Sequence, residues 1–101
     1  MLLNQRVKAP QTDQEILDGI NEIVDPDSRA SIPNGYPSAY VGLYFDPGLE
    51  DYRVVYSKQA MVRALMTEDK MSDTEAIEFL SHNTWGTKPP EGNMPLYIET
   101  V

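Results

Sequence analysis

Carboxylates are the side chains in this sequence whose spacing could do chemistry. Glu15, Asp18, Glu22 and Asp25 follow one another at intervals of three or four residues, with Asp13 just before them and Asp27 just after. On a helix, residues at those intervals share a face. The pattern therefore predicts an acidic ridge, which either faces solvent or docks on a basic partner. It does not predict a metal site, because Asp25-Pro26-Asp27 lacks the further oxygen ligands at defined spacing that a calcium loop requires. His82-Asn83 is the other pairing that invites a catalytic reading. No cysteine is present as a nucleophile, no serine stands in a nucleophile elbow, and a lone histidine without a partner pattern points to a structural or capping role. No catalytic, cofactor-binding or metal-ligating residue is read from the sequence, and the chain is expected to be non-enzymatic.

Composition bounds what can position these groups. At 101 residues with 41% hydrophobic content, one core is affordable and two are not, so residues 1–101 are read as a single domain. Without cysteine the core is held by packing alone, which suits a reducing compartment. The start, Met1 to Arg6, contains no signal-peptide run, and no segment approaches the roughly 20 apolar residues of a membrane span, so a cytoplasmic location is expected. Sixteen acidic against eight basic residues give a net charge of −8. That charge disfavours nucleic acid and anionic membranes and favours a basic protein surface.

The elements follow from periodicity and punctuation. Residues 1–10 show no period and are read as a loose arm or an edge strand. Thr12-x-x-Glu15 has capping-box spacing, and Ile16, Leu17, Ile20, Ile23 and Val24 then form an apolar stripe, which predicts a helix ending at Asp25-Pro26. Residues 26–37, with three prolines and an Asn-Gly step, are a long loop carrying Tyr36. The run Ala39-Tyr40-Val41-Gly42-Leu43-Tyr44-Phe45 has no charged side chain and predicts the interior strand of the sheet, with Tyr40 and Tyr44 on one face. A Pro-Gly turn then leads to a hairpin partner at Tyr52–Tyr56. Ser57 is placed to cap a helix over Ala60–Met66 that ends near Glu68-Asp69-Lys70. Ser72-x-x-Glu75 caps another whose apolar residues are Ala76, Ile77, Phe79 and Leu80. After a second Pro/Gly-rich loop at 84–95, which carries Trp85, Leu96–Val101 alternates as a last strand.

The expected class is α+β. A small, mostly antiparallel sheet of three or four strands carries a helical hairpin on one face, and the acidic amphipathic first helix lies on the other face or at the end. The direction of the last strand is left open.

The ordered string Tyr40-Val41-Gly42-x-x-x-Asp46, Arg53-Val54-Val55-Tyr56, Lys70-Met71-Ser72-x-x-Glu75-Ala76-x-Glu78-Phe79, Asn83-Thr84-x-Gly86 and Pro95-Leu96-Tyr97-Ile98 resembles small uncharacterised proteins encoded by bacteriophages and prophages. The resemblance spans about residues 39–98. It departs at Thr87–Pro95, which is longer and richer in proline than the short Gly-rich link usual in those proteins. It implies a phage origin and no particular reaction. Small acidic phage proteins often bind and block host machinery. The first expectation is thus an inhibitor of a bacterial host protein with a basic surface, such as an anti-defence or anti-CRISPR inhibitor in the cytoplasm of an infected host. Its contact residues would be Glu15, Asp18, Glu22, Asp25 and Asp27 with Tyr36 and Trp85. A second is a module that sequesters a small signalling molecule between protomers of a homodimer, using Tyr36, Tyr40, Trp85 and Arg53, Arg63 or Lys88. A third is a virion accessory or assembly protein.

Overall fold

The computed structural model describes residues 12–89 and 91–100. The expected arm at residues 1–10 lies outside the described residues, as does Val101. In chain order the elements are helix α1 (Asp13–Asn21), a short 3-10 turn (Pro37–Ala39), strands β1 (Tyr40–Asp46) and β2 (Asp51–Ser57), helices α2 (Lys58–Glu68) and α3 (Asp73–Leu80), a π-helical turn (Ser81–Trp85) and strand β3 (Leu96–Ile98). The class is α+β, as the residue pattern implies. The longer β1–β2 ladder is antiparallel and the short β2–β3 ladder is parallel, so the sheet is mixed. The parallel step follows from the connection, since α2 and α3 carry the chain back across the sheet before β3 begins.

All three predicted helix starts are capped as their residue types require. Thr12 and Ser72 each accept from the third backbone N–H of their helix, Glu15 and Glu75, at 3.1 Å; those two carboxylates accept the cap residues' own N–H groups at 3.0 and 2.8 Å. Ser57 Oγ accepts from Ala60 N–H at 3.1 Å.

The sheet is ordered β1-β2-β3, which overturns the expectation that Ala39–Phe45 is the interior strand. β2 is interior, with Val54, Val55, Tyr56 and Ser57 all buried. β1 is an edge whose uncharged run is only partly covered, since Tyr44 and Phe45 stand 47% and 50% exposed. Arg53 had masked the centrality of β2. Its guanidinium donates from Nε to Met94 O at 2.7 Å and meets Asp46 Oδ2 at 3.4 Å.

An irregularity between Tyr40 and Gly42 also separates residues expected on one face. Tyr40 pairs with Tyr56, whereas Tyr44 pairs with Arg53, three residues back along β2 and therefore on the opposite face. Tyr40 packs edge-on against Tyr56, with ring centroids 5.6 Å apart.

One core occupies one face of the sheet. Ile16 and Ile20 of α1, Met61 and Leu65 of α2, and Ala76 and Leu80 of α3 meet Tyr36, Ala39, Val54 and Tyr56. The first helix thus joins the same core as the helical hairpin and does not cover the second face. Predicted stripes are narrower in fact. Ile77 and Phe79 flank the Ala76–Leu80 line and stay 46% and 40% exposed. α1 also ends earlier than Asp25-Pro26, with Glu22 as its cap and one further turn in which the Ile23 and Val24 N–H groups both donate to Ile20 O. Gly19 and Asn21 are poor helix formers and Glu22 opposes the helix dipole, so the end unwinds and Ile23 is left 44% exposed. Among the described residues, no helix is long and apolar enough to cross a membrane.

Candidate functional site

Two regions gather the residues with chemical capacity. The first is the acidic end of α1 and the turn after it. Asp18, Glu22, Asp25 and Asp27 are exposed. Asp18 accepts a hydrogen bond from Gln14 Nε2 at 2.8 Å. Glu15 is engaged in the capping box and Asp13 is half-buried, its Oδ2 accepting from Gly35 N–H at 2.8 Å. The expected ridge therefore divides: its N-terminal carboxylates hold the helix start and the neighbouring loop, and its C-terminal ones face solvent. Among the described residues the single ion pair is Arg53–Asp46, across the hairpin.

The second region is the meeting place of the two Pro/Gly-rich loops. Asn93 N–H donates to Arg29 O at 2.7 Å, and Ser31 Oγ donates to Asn93 O at 3.0 Å. Asp51, at the start of β2, locks the junction from below. Its carboxylate accepts from Arg29 N–H (2.7 Å), Ser28 Oγ (2.7 Å), Tyr52 N–H (2.7 Å) and Asn93 Nδ2 (2.9 Å). The Arg29 backbone N–H, helped by the other three donors, outweighs desolvation and holds this carboxyl down at about 2. Nothing in sequence spacing marked Asp51 or Asn93. The one available signal was an Asp opening a strand opposite a Gly-Asn step.

Beside this junction the loops flank an open cleft of about 270 Å³. One wall comes from the first loop, with Ser31 and Asn34; the other comes from the π-helical turn and the residues after it, with Asn83, Thr84, Thr87 and Lys88. Tyr36 and Tyr97 line it from the core side. Burial raises the Tyr36 hydroxyl above its ordinary range, against the opposing effect of the neighbouring Thr84 hydroxyl, and burial pushes Tyr97 up to about 12. Both hydroxyls therefore stay neutral at physiological pH.

The two loop aromatics named from sequence are both in the described structure but do different things. Tyr36 is 9% exposed and reaches the cleft. Trp85 is half-buried beside the core; its Nε1 donates to Met61 Sδ at 3.5 Å and Lys58 Nζ sits 4.9 Å from its ring centroid. The ring face of Trp85 is thus already in use. Of the other residues considered for a ligand, Lys88 lines the cleft, Arg53 is tied to the hairpin, Arg63 is exposed on α2 and Tyr40 is packed against Tyr56. His82 is exposed in the π-helical turn. No group of three or more His, Cys, Asp or Glu side chains able to hold a metal occurs among the described residues. Comparison of the chain with protein-family models, with curated proteins and with solved structures finds no match.

Proposed function

We propose that this protein acts, without catalysing a reaction, by binding a basic surface on another protein through the C-terminal end of α1 and the turn that follows. The observation that carries this reading is the state of the carboxylates there: Asp18, Glu22, Asp25 and Asp27 are exposed and form no ion pair with any described cation. Ile23 stands among them with 44% of its surface exposed. An exposed apolar side chain between carboxylates in the chain has the composition of a small interface, with an anchor that is desolvated on contact and charges that steer approach. The resemblance to phage-encoded proteins extends the proposal: the partner is a protein of the bacterial host, and occupation of its basic surface blocks it, as an anti-defence or anti-CRISPR inhibitor would.

The test is retention of a partner from bacterial lysate by the tagged chain and by the variant Asp18→Lys/Glu22→Lys/Asp25→Lys. A partner held by the native chain, lost by the variant and released as salt rises supports the reading, because exposed charge pairs are screened within about 8 Å at physiological ionic strength. Retention of the same partner by both chains removes the acidic turn from the interface and overturns it.

A further inference from the structure

A different part of the molecule carries a second binding capacity. We propose that the cleft between the two loops is a binding site for a neutral, polyhydroxylated ring, that is, a sugar or the ribose of a nucleoside.

The argument runs from hydrogen-bond capacity. Two hydroxyls on the walls have already spent their protons on the protein, and one amide has spent one of its two N–H donors. Ser31 Oγ donates to Asn93 O at 3.0 Å, Asn83 Nδ2 donates to Phe79 O at 2.9 Å, and Thr87 Oγ1 is within 3.2 Å of Thr84 O and 3.3 Å of Asn83 O. A hydroxyl has one proton and two lone pairs, and an amide side chain has a separate carbonyl oxygen. What Ser31 and Thr87 still offer is acceptor capacity, and Asn83 keeps its carbonyl oxygen and one N–H. A ligand that satisfies them must bring donors, which a row of ring hydroxyls does. Asn34 is exposed at the rim with both a donor and an acceptor, and Lys88 supplies an ammonium that can donate to a hydroxyl oxygen.

Charge sets the second limit. Among the described residues Lys88 is the one charged side chain lining the cleft, in a chain of net charge −8. A phosphate dianion would meet a single cation and, at Ser31 and Thr87, hydroxyls whose protons are already given to the protein; a cationic ligand would meet Lys88. A neutral ligand avoids both costs. The cleft volume of about 270 Å³ holds one ring, a pyranose or a ribose, and its open mouth leaves the base of a nucleoside outside. Pro33 and Pro95 offer apolar wall against which the C–H face of such a ring can lie.

The geometry of the π-helical turn supports the same assignment. Segments of this kind are rare and concentrate at functional sites, and here it is the element that turns Asn83 and Thr84 toward the cleft.

The experiment is a titration of the full chain, labelled at its backbone amides, with methyl α-glucopyranoside, with adenosine and with adenosine 5′-monophosphate. The expected result is a saturable change confined to the amides of residues 31, 32, 34–36, 83–88 and 97. Changes with the glucoside alone assign a sugar, and changes with adenosine alone assign a nucleoside. Adenosine 5′-monophosphate is expected to bind no more tightly than adenosine. The variant Asn34→Ala/Lys88→Ala alters two exposed lining positions whose side chains hold no other described part of the protein, so its spectrum elsewhere should be unchanged; affinity should fall about fivefold for each hydrogen bond removed. No saturable change with either neutral probe overturns the proposal, as does binding that the double variant leaves intact, or a monophosphate that binds at least tenfold more tightly than adenosine.

Discussion

At the end of α1, Glu22, Asp25 and Asp27 are exposed and form no ion pair among the described residues, whereas Asp51, a carboxylate of the same chemistry, receives four hydrogen bonds at the junction of the two loops. The first set contributes nothing to holding the fold and is available to a partner. The second is committed to structure and is available to nothing else. Counting acidic residues cannot tell these apart; only the donors around each carboxylate can. The same contrast runs through the backbone. α1 is a regular capped helix that tolerates change at its exposed end, while the loop junction depends on close approaches that permit little.

Gly92 and Gly19 give the strongest contrast. Gly92 sits at the loop junction with φ +101, and a Cβ there would meet Arg29 O at 2.8 Å and Ser31 Cβ at 2.9 Å. Gly92→Ala combines a backbone conformation that L side chains avoid with two overlaps, and is expected to cost about 3 kcal/mol and to separate the loops. Urea unfolding would read the cost, and loss of protection of the Asn93 amide in hydrogen exchange would read the separation. A variant as stable as the native chain would mean that the junction yields easily, and the contrast with α1 would fail.

Asp51 tests the same junction through protonation. Its carboxyl is lowered from the ordinary 3.8 to about 2 in the folded chain, so folding favours its ionised form. The stability this contributes is present above pH about 4 and is lost as pH falls through about 2. Asp51→Asn should cost about 1–2 kcal/mol at neutral pH, a figure kept low because the group is only partly shielded from water. It should also flatten the decline in stability between pH 4 and pH 2. An unchanged acid limb in the variant would assign that decline to other carboxylates.

The helical side should respond with the opposite sign. Gly19 lies within α1, exposed, and nothing stands within 4 Å of a Cβ built there. Gly19→Ala is expected to stabilise by about 0.5–1 kcal/mol, because alanine loses less backbone freedom on forming a helix. Circular dichroism with thermal unfolding would show a higher midpoint. A lower midpoint would mean that the last turn of α1 needs the freedom of glycine.

Much of this architecture was written locally. The two capping boxes, the Ser57 cap, the hairpin turn and the α+β class depend on residues within a few positions of each other, and each appears where its residue types put it. Which strand lies inside depends on what covers it, which is a property of the assembled chain. β1 has the purer apolar run, yet β2 takes the centre because Arg53 finds Met94 O and Asp46, and because the helical crossover delivers β3 to its far side. The one-residue irregularity beside Val41 was equally invisible, and it moved Tyr44 to the other face from Tyr40. The acidic face was legible because it lies on one helix. The cleft was not, because Ser31, Asn34, Asn83 and Thr87 come from loops about fifty residues apart with no period to link them.

The smallest expected effect is also the one that best separates binding from stability. Glu22 caps the C-terminus of α1 and Asp25 follows it, so both carboxylates face the negative end of the helix dipole, with Asp18 one turn away from Glu22. Glu22→Lys/Asp25→Lys replaces two repulsive contacts with two attractive ones and should stabilise by about 0.3–1 kcal/mol at low salt, the gain shrinking as salt is added. A variant that is slightly more stable yet has lost its partner has lost the contact surface and nothing else. Were the double change to destabilise the chain, the two carboxylates would be holding the turn, and the loss of a partner could no longer be assigned to charge alone.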